Sequence, residues 1–170
     1  MAQTVYDPPV STYIPLQTIT LGSAASSVTF ASIPQTYRDL VLVVVALGST
    51  TLQGRVRLNS DSGSNYSSVR MSGNGSSPTS ASLASQTSGS ISTIATATTG
   101  GALQVELQIQ DYSATDKHKT MLSRADQSAT GAEAVAVRWA STSAVTSVQI
   151  LTSTGNWAVG GTFSLYAIEA

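Results

Sequence analysis

Nine consecutive residues, DLVLVVVAL at 39–47, constrain the fold more than any other stretch of this chain. Val41, Val43, Val44 and Val45 carry branched Cβ atoms that suit a pleated strand better than a helix. The run is far short of the roughly 20 residues a membrane helix needs. Arg38-Asp39 on one side and Gly48 on the other bound it. Because no position inside it is polar, the pattern predicts a central strand buried on both faces. A strand of this kind aggregates unless it is paired and covered, so the rest of the chain, or a neighbour, has to cover it.

The remaining segments supply partners of the same type. Ser27–Ile33 alternates, with Val28 and Phe30 on one face. Leu103, Val105, Leu107 and Ile109 alternate with Gln104, Glu106, Gln108 and Gln110, the signature of a half-buried strand. Residues 55–58, 67–71, 119–124, 134–139, 145–151 and 162–168 read as further short strands between Gly-, Ser- and Asn-rich turns. Nine short strands at regular spacing, with no sustained helical period, predict an all-β chain: an antiparallel β-sandwich, jelly-roll-like. With 170 residues the chain suffices for one domain, expected over 16–170.

Two regions stand apart. Residues 1–15 hold Pro8, Pro9 and Pro15 with Tyr6 and Tyr13, which predicts an extended N-terminal arm with few internal hydrogen bonds. Its prolines lower the entropy lost on docking and its tyrosines offer broad contact area, so Tyr6, Pro8, Pro9 and Tyr13 are candidate interface residues. The alternative is that the arm completes the chain's own sheet as an edge strand. The Ser/Thr/Gly-rich segment 72–102 reads either as a flexible excursion or as a long loop or hairpin packed on a partner, anchored by Leu83, Ile91 and Ile94.

Chemistry-bearing residues are sparse. There is no cysteine, and His118 is the only histidine, which excludes disulfides, thiolate metal sites and His-clustered zinc. Asp111, Asp116, Asp126 and Glu133 fall beside Lys117, Lys119 and Arg124, where surface charge balance explains them better than paired catalytic carboxylates. The loop NSDSGSN places Asn59, Asp61, Gly63 and Asn65 on the alternate-residue beat of a calcium loop. Only one of the four is a carboxylate, so a structured turn is favoured. No catalytic residue, metal or cofactor is expected. Trp139 shares a strand face with Val135 and Val137, as core or interface anchor. Trp157, in STGNWAVGG, reads as a loop aromatic that plugs a subunit interface. A net charge of −1 argues against nucleic acid and anionic membranes as partners. MAQTVYDPPVSTYIP lacks the basic and apolar regions of a signal peptide. Sequons at Asn65 and Asn74 are therefore not expected to carry glycans.

The order LGSAASSVTFASIPQTYRDLVLVVVA, then VRLNSDSGSNYSSVRMSGNGSS, then the terminal FSLYAIEA resembles a family of small tailed-bacteriophage virion proteins. The resemblance runs from about Leu16 to Ala170 and rests on turn and core signatures. It implies a β-sandwich that trimerises, a virion location reached by assembly in the host cytoplasm, and a major capsid protein or other virion proteins as partners. It transfers no site residue. The expected function is non-enzymatic: a capsid decoration (cement) protein, or alternatively a tail-fibre or baseplate module binding host glycans. Charged residues make up only 10% of the chain, which suits a surface docked on neighbours.

Overall fold

The computed structural model describes residues 12–50, 52–93, 101–127 and 131–169. Among them there is no helix. Twelve strands run in chain order as β1 Tyr13–Thr20, β2 Ser27–Phe30, β3 Asp39–Ala46, β4 Gly54–Leu58, β5 Tyr66–Gly73, β6 Pro78–Gln86, β7 Gly89–Ser90, β8 Leu103–Ile109, β9 Lys119–Gln127, β10 Gly131–Trp139, β11 Val148–Thr152 and β12 Thr162–Ile168. They form an eight-stranded sheet, β1-β12-β3-β8-β9-β10-β5-β6, and a four-stranded sheet, β2-β11-β4-β7, with every pairing antiparallel. The two sheets pack face to face as a β-sandwich.

Period-two patterning sets the core. From the large sheet, Leu40, Leu42 and Val44 stand opposite Ile109, Leu107 and Val105. Met121, Val135, Val137, Phe163 and Leu165 extend the same layer. From the small sheet, Val28, Phe30, Val56, Leu58, Val148 and Ile150 close onto it. Residues of this kind release about 25 cal/mol for each Å² of apolar surface removed from water, which holds the two layers together without disulfides.

Several expectations change. β1 begins at Tyr13, so the last three residues of the expected arm are already an edge strand, paired from Tyr13↔Ile168 to Thr20↔Thr162. Pro15 is tolerated because an edge strand has one side free of ladder bonds. A bulge between Pro15 and Gln17 changes the side-chain phase, so Ile14, Leu16 and Ile19 all reach the core. Tyr6, Pro8 and Pro9 lie outside the described residues. The segment 72–102 is not one loop: it contains β6, hairpinned to β5 through an Asx turn in which Asn74 Oδ1 accepts from Ser76 N and Ser77 N, both at 3.0 Å. It also contains β7. Of its expected anchors, Ile91 is buried and Leu83 exposed, and Ile94 lies outside the described residues.

Candidate functional site

The 59–65 loop carries β4 of the small sheet into β5 of the large one, and its side chains bind the loop to itself. Asn59 and Ser60 take positive φ, a conformation Asn tolerates well. Asn59 Oδ1 accepts from Thr146 N at 2.8 Å and Ser147 N at 3.1 Å, while its Nδ2 donates to Ala144 O at 2.7 Å. Asp61 Oδ1 accepts from Gly63 N at 2.8 Å. Its Oδ2 accepts from Asn65 Nδ2 at 2.8 Å and from the Trp139 indole at 2.6 Å. The indole bond, more than any other contact, holds the Asp61 carboxyl below its ordinary range. Both carboxylate oxygens are occupied by donors within the protein, and the loop is a turn. Tyr66 closes its base: Leu58 N donates to the phenol at 2.9 Å, and the ring stacks on Trp139 at 6.4 Å.

The outer face of the eight-stranded sheet is open and carries several exposed apolar side chains. Register places Val43 and Val45 of β3 opposite Glu106 and Gln104 of β8. Arg124 and Asp126 of β9 come next, then Ala134 and Ala132 of β10, then Met71 and Gly73 of β5. Val43 is 37% exposed, Val45 39%, Val69 57%, Met71 66% and Leu122 48%. Tyr13, half exposed, stands on the same side, edge-on to Tyr166 at 6.4 Å. A trough of about 1050 Å³ runs over this face between Val43, Val45, Met71, Ala132, Ala134 and Arg124. The two-sided burial expected for 39–47 therefore fails at its C-terminal half. Leu42, Val44 and Ala46 are interior, and Val41 is covered, but Val43 and Val45 look outward. The charges on the face balance: Glu106 and Asp126 against Arg124 and Arg138. Arg124 Nη2 meets Glu106 Oε1 at 2.6 Å, and Arg138 Nε donates to the exposed His118 Nδ1 at 3.2 Å.

Trp157 corrects the expectation of an interface plug. Its ring is 0% exposed within its own chain, edge-on to Phe163 at 5.7 Å. The reason is local pairing: Trp157 exchanges backbone bonds with Ala25, at 2.8 and 3.2 Å, which draws the loop across the end of the sandwich. Gly54 beneath it has no Cβ, which leaves room for the Ile91 side chain, 3.0 Å from where a Cβ would stand.

Two buried charges were not foreseen as such. Lys119 is fully buried beside Trp139 and donates to Ala114 O at 2.7 Å, Lys117 O at 3.1 Å and Thr142 O at 3.4 Å; burial lowers its pKa. Glu133 is not a surface charge either. It faces inward from β10, accepting from Thr93 N at 2.7 Å and from Thr93 Oγ1 at 2.5 Å. Among the described residues, no three His, Cys, Asp or Glu side chains converge.

No family model matches this chain. No curated protein matches it either. Among solved structures, a protein of unknown function from Shewanella oneidensis MR-1 aligns over 93% of this chain and 76% of its own, at 11% identity and a TM-score of 0.21. That superposition is too loose to bear on fold or function.

Proposed function

We propose that this chain is a non-enzymatic virion structural protein, a homo-oligomeric capsid decoration module whose copies associate through the outer face of the large sheet. One observation carries the reading. A strand patterned for burial on both sides, β3, leaves Val43 and Val45 uncovered on a face that also presents Val69, Met71, Leu122 and three alanines, Ala132, Ala134 and Ala136. Most solvent-facing strand positions are polar, so an apolar face is the mark of a surface with a partner. Its occupant is a second copy of this chain. Two acids and two arginines on one face give copies no net repulsion and allow Arg124 of one to meet Glu106 or Asp126 of another. Strands about 4.8 Å apart and about seven residues long make an eight-stranded face of roughly 900 Å², comparable to the roughly 800 Å² per partner of a stable interface.

The resemblance to small tailed-phage virion proteins supplies the setting, and the low charge and hydroxyl-rich surface accord with close contact to capsid neighbours. A tail-fibre or baseplate module that binds host glycans is the second reading. Copy number separates them. Quantitative mass spectrometry of purified virions should find hundreds of copies per particle for decoration. Tens or fewer would favour the appendage, and absence from particles contradicts both.

A further inference from the structure

Eight strands facing four leave part of the large sheet's inner face without an opposing strand, and a cleft of about 220 Å³ forms where that face meets the edge strand β7. Its lining comes from both sheets: Arg55 of β4 and Ser90 of β7 on one side, Ser68, Arg70 and Leu83 of β5 and β6 on the other. Arg55 and Ser90 are cross-strand partners and so share a face, which puts the guanidinium and the hydroxyl side by side.

The polar groups here are unevenly matched. Glu133 is taken up by Thr93 through two hydrogen bonds. Arg70 donates to the same Thr93 hydroxyl and stands 3.9 Å from Glu133. Arg55 donates only to Gln53 Oε1, at 2.9 Å, among the described residues, with no carboxylate in ion-pair reach. Ser90 is 1% exposed, and its Oγ has no hydrogen-bond partner among the described residues. Burying a hydroxyl without a partner costs about 1–3 kcal/mol, and a half-buried guanidinium facing an amide alone is also poorly compensated.

We propose that this cleft binds a single carboxylate carried by a small polar ligand, gripped by Arg55 and Arg70 with the Ser90 hydroxyl as a third donor. Charge selects the class. Two arginines against one glutamate leave one positive charge, which a carboxylate neutralises and a phosphate dianion overshoots beside Glu133. The planar guanidinium fork also matches a carboxylate in a bidentate manner. Burial lowers the Arg55 pKa, and the field of Glu133 opposes this; a bound carboxylate would relieve the same strain. The volume admits an acid group with a few attached carbons, either a simple carboxylic acid or the acid end of a sugar. The proposal is independent of the assembly role argued above.

The test is amide NMR titration of the full chain with glucuronate, propionate, glucose and inorganic phosphate. Glucuronate or propionate should give saturable shifts centred on Arg55, Arg70 and Ser90, with glucose silent and phosphate at least tenfold weaker. Glucuronate at least tenfold tighter than propionate assigns a sugar acid; equal affinity assigns a simple carboxylate. Arg55→Gln should weaken the better ligand at least tenfold, and Ser90→Ala, which removes only an unpartnered hydroxyl, about threefold without loss of stability. Absence of saturation by both carboxylates at millimolar concentration, binding of glucose equal to glucuronate, or unchanged affinity in both variants overturns the site.

Discussion

Asp61 shows how a single carboxylate can look like a metal ligand in sequence and act as a clasp in the fold. Its four-residue beat with Asn59, Gly63 and Asn65 was legible, but the donor that decides its role, the Trp139 indole, lies 78 residues away. Asp61→Asn sets an amide N–H or a weaker acceptor against that indole and should cost about 1–2 kcal/mol at pH 7, read by urea unfolding. The folded pKa lies below the ordinary value of 3.8. This stabilisation is therefore present above the unfolded pKa and lost as pH falls through the folded one. Wild type should lose stability on acidification more steeply than Asp61→Asn; parallel pH profiles would show that the clasp contributes nothing. Tyr66 acts at the opposite end of the scale. Burial raises its phenol to about 12, so above pH 10 the unfolded chain sheds a proton that the folded chain retains, and stability falls with rising pH. Tyr66→Phe should cost about 1 kcal/mol at neutral pH, because Leu58 N loses its acceptor, and should flatten the alkaline decline. An alkaline slope identical to wild type assigns it to other groups.

At the scale of elements, strands with strict alternation or continuous branched runs were readable, and those without either were not. β8 and β12 follow their patterns closely, because period-two burial is written into the residues themselves. β6, PTSASLASQ, is built of small polar residues with no apolar stripe, and β7 is two residues long; both exist because β5 and β4 offer them ladder bonds. β1 was hidden by Pro15 and by the bulge that breaks its alternation. Trp157 was misplaced for a similar reason: an aromatic among Gly and Asn reads as loop, and the pairing to Ala25 that pulls it inward is long-range. The cleft residues Arg55 and Arg70 were visible as charges on strands, but their meeting depends on which strand of each sheet lies where. β3 offers the sharpest check on the assigned faces. Val44→Thr places a hydroxyl in the core and should cost about 1–3 kcal/mol, whereas Val43→Thr, one residue away, should stay within about 0.5 kcal/mol for the isolated chain. Similar losses at both positions would mean that Val43 is not outward-facing. Gly131 tests the β9–β10 edge: with φ at +117° and an added Cβ only 2.2 Å from Gly73 O, Gly131→Ala should lose about 2–3 kcal/mol by thermal or urea unfolding. A near-neutral result would show that β5 and β10 can separate there at little cost.

At the scale of the whole molecule, the two outward-facing sheet surfaces differ in character. The small sheet turns Arg57 and Gln149 outward, while the large sheet turns out Val43, Val45, Val69, Met71 and Leu122. A chain with few charges and such a face would be prone to unspecific association unless a defined partner occupied it, and a second copy is the partner proposed here. Multi-angle light scattering on the purified chain, across a concentration series and beside Met71→Arg/Leu122→Arg, measures this most directly. Wild type should run at a fixed multiple of 17.4 kDa, two copies or more, and the double variant should fall to the monomer mass with its unfolding midpoint shifted only as far as loss of assembly requires. A wild-type chain that stays monomeric at every concentration, or a double variant that assembles as wild type does, would contradict the interface and the structural role built on it.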